Sequence, residues 1–188
     1  MMMIAVHKPR ATYQDILSLP ENMVGEIIDG ELFVMSRPAV PHANASSNLG
    51  TLIGGPFRFG MGGPGGWVIL DEPELHFGED VLVPDLAGWR RERMPEVPGT
   101  PAISLAPDWV CEILSPSTMK LDRTKKLAVY ARQAVSHLWL IDPLERTLEV
   151  LRLSNGLWSI AQVFTDDAVV RAEPFEAIEL SLSMVFAR

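Results

Sequence analysis

The residues of this chain best suited to chemistry are acids set inside apolar strands. In Trp109-Val110-Cys111-Glu112-Ile113-Leu114 the carboxylate of Glu112 is flanked on both sides by apolar residues and a thiol. Strand alternation puts Val110, Glu112 and Leu114 on one face and Trp109, Cys111 and Ile113 on the other. Both faces are apolar, the pattern of a central strand covered on both sides. A carboxylate there is costly unless it is paired or binds a metal; the plain alternative is an edge strand with Glu112 in water. Asp85 interrupts Val81-Leu82-Val83-Pro84-Asp85-Leu86-Ala87 in the same way, or else serves as a Pro-Asp turn residue. Glu26 heads the apolar run Glu26-Ile27-Ile28. Asp122, Lys126 and Tyr130 follow at i, i+4 and i+8 and share one helix face, the alternative being a solvated face with a weak Asp122–Lys126 pair.

Two or three acids converging on one cavity repel one another, and a hard divalent cation with oxygen ligands removes that repulsion. A nearby lysine positions a water or stabilises a developing oxyanion. These are the parts of metal-assisted phosphodiester hydrolysis.

The elements that must position these residues are legible in outline. A short helix, capped by Thr12 and stopped by Pro20, precedes a hairpin over 25–36 turning at Asp29-Gly30. A helix is expected over 42–59, with Leu49, Leu52, Ile53 and Phe57 along one side, ending in the glycine-rich loop 60–66. Strands are expected over 67–77, 81–89 and 108–114, a helix over 120–132, and a strand at 137–141. A hairpin around Asn155-Gly156 and a tail with a short strand and a last helical turn complete a mixed α/β sandwich, not a βαβ repeat.

Other motifs fail their context. Gly60-Met61-Gly62-Gly63-Pro64-Gly65 matches G-x-G-x-x-G, but no strand precedes it and no helix follows. Ser117-Thr118-Met119-Lys120 matches S-x-x-K without its partner motifs, so Ser117 or Thr118 reads as a helix cap. His42, His76 and His137 make no zinc-type pair.

The chain has 188 residues, 47% of them hydrophobic, with a formal net charge of −8. That length fits a single domain, 1–188, with 1–11 expected as a flexible N-terminal arm. The apolar fraction excludes a disordered chain, and the lone Cys111 excludes an internal disulfide. No apolar run approaches a membrane span, and the start lacks the order of a secretory signal, so a soluble cytoplasmic protein is expected. The charge of −8 argues against a general nucleic-acid coat. Its distribution softens this: 120–126 holds Lys120, Arg123, Lys125 and Lys126 against Asp122, and 90–93 holds three arginines against Glu92.

The ordered set of Glu26-Ile27-Ile28-Asp29-Gly30-Glu31-Leu32, His42 opening a helix, Pro84-Asp85-Leu86, Glu112-Ile113-Leu114-Ser115-Pro116-Ser117-Thr118, Asp122, Lys126, Tyr130, and Leu138-Trp139-Leu140-Ile141-Asp142-Pro143 resembles the Uma family of restriction-endonuclease-like proteins. The resemblance spans about 12–153 and implies the PD-(D/E)xK nuclease fold, a mixed central sheet flanked by helices. It implies Asp85 as the Asp of the PD motif, Glu112 as the acid of the (D/E)xK strand and Glu26 as the N-terminal acid, with Asp85, Glu112 and the carbonyl of Ile113 as ligands of Mg²⁺ or Mn²⁺. Leu114 stands in the usual lysine position, and the resemblance moves that lysine to the next helix, at Lys126. His42, Asp122 and Tyr130 are accessory candidates. DNA is then the expected substrate and a homodimer the expected assembly, with the terminal strands and Trp139 as candidate interface. The alternatives are a catalytically degenerate binding module on the same fold and a metal hydrolase of small phosphate esters.

Overall fold

The computed structural model describes residues 9–187. Most of the arm expected over 1–11 lies outside them; Ala11, at its end, donates its amide to the Gly30 carbonyl at 2.9 Å. The first helix, α1 (Tyr13–Leu17), begins where the Asp15 carboxylate accepts from the Thr12 amide at 2.7 Å and its hydroxyl at 3.0 Å. The hairpin follows as β1 (Met23–Ile28) and β2 (Glu31–Ser36), with Asp29 and Gly30 at φ 53° and 80°. Both turn residues are left-handed, which matches the twist of the flanking strands.

Helix α2 (Val40–Ile53) buries Ala45, Leu49 and Ile53, then widens into a π turn over Gly54–Arg58 that buries Phe57. The two strands expected over 67–77 and 81–89 are each broken in two: β3 (Trp67–Asp71), β4 (Leu75–Phe77), β5 (Asp80–Leu82) and β6 (Leu86–Arg90). The breaks fall at Pro73 and Pro84, which cannot donate to a ladder, and at Glu72, whose φ is 44°. The Glu72 amide then bonds the Asp85 carbonyl at 3.0 Å. Here the chain leaves one sheet, makes a hairpin in a second, and returns.

Strand β7 (Trp109–Ile113) is followed by a helical stretch of α3 (Met119–Leu121), a π turn (Asp122–Lys126) and α4 (Leu127–Arg132). Strands β8 (His137–Asp142), β9 (Thr147–Ser154) and β10 (Leu157–Thr165) continue the sheet, and β11 (Val169–Val170), β12 (Leu180–Ser181) and α5 (Leu182–Val185) close the chain. The large sheet runs β10-β9-β8-β7-β6-β3, with β7 and β8 parallel and its other pairs antiparallel. The small antiparallel sheet runs β2-β1-β5-β4.

The alternation read from the sequence holds on β7. Trp109, Cys111 and Ile113 pack with α2 and the C-terminal Phe175, Leu182 and Val185, while Val110 and Leu114 pack with Val129, Tyr130, Leu138 and Leu140. Gly88, opposite Trp109 in the β6–β7 pair, is small for a reason: a Cβ there would stand 3.1 Å from the Trp109 ring and 3.3 Å from that of Trp67. Trp139 is fully buried in the same aromatic cluster and donates its indole N–H to the Glu173 carbonyl at 2.5 Å, so it offers nothing to an interface. Among the described residues no helix is long and apolar enough to cross a membrane.

Candidate active site

Glu112 stands on β7 with paired strands on both sides and is 2% exposed, so the edge-strand alternative is excluded. Its Oε2 accepts from Lys126 Nζ at 2.9 Å and its Oε1 from the Tyr130 hydroxyl at 2.5 Å. Lys126 comes from the π turn after β7 and is 3% exposed, so this helix face is not solvated. The ammonium also meets Glu26 Oε1 at 3.0 Å, Asp122 Oδ1 at 3.7 Å and the Val83 carbonyl at 3.5 Å. Glu26, on β1, is fully buried; its Oε1 accepts the Val83 amide at 2.7 Å, and its Oε2 has no partner among the described residues.

One ammonium thus sits among three buried carboxylates. Burial alone would lower the Lys126 pKa, but the charges of Glu112 and Glu26 outweigh it and hold the amine well above its usual value. Burial pushes the Glu112 carboxyl well above the usual range; Lys126 opposes this, and Asp122, Asp85 and Glu26 reinforce it. Glu112 rises first because it is buried and then because other carboxylates surround it, whereas Lys126 rises, against burial, because the carboxylates around it favour its charged form. Asp122 is raised likewise, first by burial.

Asp85 stands at the crossing between the sheets. Its Oδ2 accepts the Ile113 amide at 2.6 Å, and its Oδ1 lies 3.1 Å from His42 Nε2 in the first turn of α2. Burial opposes the charged imidazole of His42, but the hydrogen bond and charge of Asp85, with Asp122 and Glu72, outweigh it and raise its pKa. The other ring nitrogen, Nδ1, is buried without a partner among the described residues.

A cavity of about 580 Å³ opens over these groups, bounded by His42, Glu72, Asp85, Glu112, Ile113, Asp122 and Lys126. Arg37, Ser115, Ser117 and Thr118 also line it. Of the eight residues singled out in the sequence, Glu26 and Tyr130 do not line the cavity; they stand behind it and bond the residues that do. Among the described residues no three His, Cys, Asp or Glu side chains make a ready metal cluster. The donors nonetheless suit a hard divalent cation: Asp85 and Glu112 both face the cavity, and each carboxylate oxygen, though already hydrogen-bonded, keeps a further lone pair. Asp122, Asp85 and Glu26, which add to the burial that raises Glu112, carry the negative charge such an ion would offset.

The basic segments are largely consumed internally. Arg123 pairs with Glu149, Lys125 with Glu31, Lys126 is buried, Arg93 pairs with Asp108, and Arg90 stacks on Trp67. The residue that sequence reading missed is Arg37, which the end of the β1–β2 hairpin delivers to the cavity wall. Its one signal is its place between that hairpin and Pro38.

The profile of a family described as "Uma2: Putative restriction endonuclease" matches residues 11–184. A solved structure described as "a putative nuclease belonging to DUF820" from Anabaena variabilis is similar, with a TM-score of 0.75 and 27% sequence identity. The match covers 94% of this chain and 98% of that one. No curated protein matches the chain.

Proposed function

The chain belongs to the Uma2 family, and from that premise we propose that it is a metal-dependent endonuclease that hydrolyses phosphodiester bonds of DNA in the cavity over Asp85 and Glu112. The observation that carries this reading is the Lys126–Glu112 contact of 2.9 Å. Leu114 occupies the usual lysine position and is buried among apolar side chains, yet a lysine from the following helix reaches the same carboxylate.

Asp85 and Glu112, with the carbonyl of Ile113, would hold Mg²⁺ or Mn²⁺. Bound there, such an ion supplies Lewis-acid polarisation of the phosphoryl oxygens and a more acidic water. Lys126 keeps its proton and places a fixed positive charge at the cavity wall, where negative charge develops on the phosphoryl group. Tyr130 fixes the orientation of Glu112, Glu26 and the Val83 carbonyl hold the ammonium, and His42 holds Asp85.

The test is nicking of supercoiled plasmid with Mg²⁺ or Mn²⁺, beside Asp85→Ala, Glu112→Ala and Lys126→Ala. Metal-dependent cutting by the parent chain and none by the variants is the expected result. Equal traces of cutting in all four would overturn the reading and favour a catalytically degenerate binding module, which the protein partner already on each oxygen of Glu112 and Asp85 would suit. Cleavage of nucleotides but not of DNA would favour a small phosphate-ester hydrolase.

The reading extends to a homodimer joined along β10. That edge strand carries no charged residue and exposes Leu157, Ile160 and Val163. The opposite edge is closed, since Arg58 and Arg91 bond the Ile69 and Trp67 carbonyls of β3. Exposed uncharged edges template pairing, and proteins otherwise blunt them. Light scattering on the parent and on Ile160→Lys tests it: a dimer that the substitution dissociates is expected, and a monomeric parent would sink it.

A further inference from the structure

Most cations on this acidic chain are already engaged. Arg10, Arg93, Arg123, Lys125, Arg132, Arg146, Arg152 and Arg171 all pair with carboxylates, and Lys126 is buried among them. Arg58 and Arg91 bond edge carbonyls, and Arg90 lies over the Trp67 ring at 4.1 Å. Among the described residues only Arg37 and Lys120 have no ion pair, side-chain hydrogen bond or aromatic partner. Only Arg37 is a lining residue of the cavity; Lys120 is an exposed neighbour of its rim in sequence, two residues after Thr118, the last of the loop hydroxyls that line it.

Those hydroxyls make a polar rim. Ser115 Oγ lies 3.0 Å from both Ser117 Oγ and Thr118 Oγ1, and Ser117 and Lys120 are exposed. An unpaired guanidinium, an unpaired ammonium and hydroxyl donors beside a surplus of buried carboxylates suit a polyanion whose phosphates reach past the acids. Arginine and lysine are the usual phosphate donors, and arginine can grip one phosphate through two parallel bonds.

We propose that Arg37 and Lys120, with the Ser117 hydroxyl, form a phosphate subsite that holds backbone phosphates of nucleic acid flanking the one over Asp85 and Glu112. The subsite rests on the nuclease reading of the cavity, and it places binding energy away from the acids themselves. Each phosphate that a cation neutralises releases counterions, so the salt dependence of binding reports how many phosphates are held, independently of cutting.

The experiment is fluorescence anisotropy of a fluorescein-labelled duplex, titrated with the full chain over a salt series, with Ca²⁺ or EDTA present. The chains compared are the parent, Arg37→Ala, Lys120→Ala, the double variant, and Arg171→Ala as a remote control. Thermal midpoints check that all are folded. Each single variant is expected to weaken binding several-fold and flatten the slope of log affinity against log salt by about 0.9 for each phosphate released, while Arg171→Ala binds as the parent does. A double variant with parental affinity and slope overturns the subsite, as does a parent that binds no duplex with either addition. If the double variant binds as the parent does while the parent cuts plasmid, the subsite falls and the nuclease reading stands. If binding drops in the double variant while the parent cuts nothing with Mg²⁺ or Mn²⁺, the nuclease reading falls and the subsite stands.

Discussion

Asp85 Oδ2 accepts the backbone amide of Ile113 at 2.6 Å, so the point where the chain crosses between two sheets is fastened to the strand that carries Glu112. The bond does two separable jobs. It satisfies a buried amide beside the site, and it aims a carboxylate into the same cavity as Glu112. Asp85→Ala loses both and is expected to cost about 1–3 kcal/mol through the orphaned amide, with cutting abolished. Asp85→Asn keeps an oxygen acceptor for the amide but loses the charge beside His42, so its urea midpoint falls less than that of Asp85→Ala while plasmid cutting is still lost. An asparagine variant that cuts at the parental rate would remove Asp85 from the chemistry.

Lys126→Met is expected to destabilise the protein by about 3–5 kcal/mol, because it leaves buried carboxylates without their cation. The loss has a pH signature. The folded Glu112 pKa already lies well above the ordinary value of 4.5. A raised carboxyl contributes stability that is present below that value and lost as pH rises through the folded one. Removing the lysine raises the folded value further, so the variant's deficit shrinks as pH falls toward 4.5 and grows above it. Chemical denaturation at several pH values, in EDTA, measures this; a deficit independent of pH would show that Lys126 contributes packing rather than charge.

The two acids and the lysine were legible because each breaks a local pattern. Glu112 and Asp85 interrupt apolar strands, and Lys126 shares its helix face with Asp122 and Tyr130. The strand alternation at Trp109 to Ile113 was legible for the same reason, since a period of two on both faces leaves one arrangement. The split of 67–89 into two sheets was less visible. Pro73 and Pro84 mark the breaks, but which sheet each fragment joins depends on distant partners such as β1. The widened turn at Asp122–Lys126 had no local signal, and it carries two buried charged residues. Counting charges along 120–126 overstated the free positive surface, because the partners Glu31 and Glu149 are remote in sequence. Arg37 is hard to find for the converse reason: its place between the hairpin and Pro38 marks a chain break but not the cavity beside it.

Tyr130→Phe removes one hydroxyl and little volume. Tyr130 is fully buried and bonds Glu112 Oε1 at 2.5 Å. The substitution leaves that oxygen buried without its donor, at an expected cost of about 1–3 kcal/mol. Because Lys126 still holds the other oxygen at 2.9 Å, cutting is expected to fall without vanishing, unlike in Glu112→Ala. Denaturation midpoints and plasmid nicking measured on the same preparation check both halves. Complete loss of cutting with unchanged stability would instead place the phenol in contact with substrate.

His42 and His137 are expected to tilt the pH dependence of stability in opposite directions. Against burial, Asp85 raises the His42 pKa above 6.5. The native state then binds the extra proton, and the stabilisation is fully present below 6.5 and lost as pH rises through the folded value. His137, by contrast, is lowered from 6.5, first by burial and despite Glu173 at 3.6 Å. Here the unfolded state binds the extra proton, so stability is lost as pH falls below 6.5 through the folded value. Thermal midpoints across about pH 5–8 in EDTA separate the two. His42→Gln is expected to reduce the decline on the alkaline side, and His137→Gln to reduce the decline on the acid side. The two windows meet at the unperturbed value, so a double variant should show the two changes independently. If His42→Gln instead altered only the acid side, Asp85 would not be holding a protonated imidazole, and the pairing of these two residues would have to be read as a neutral hydrogen bond.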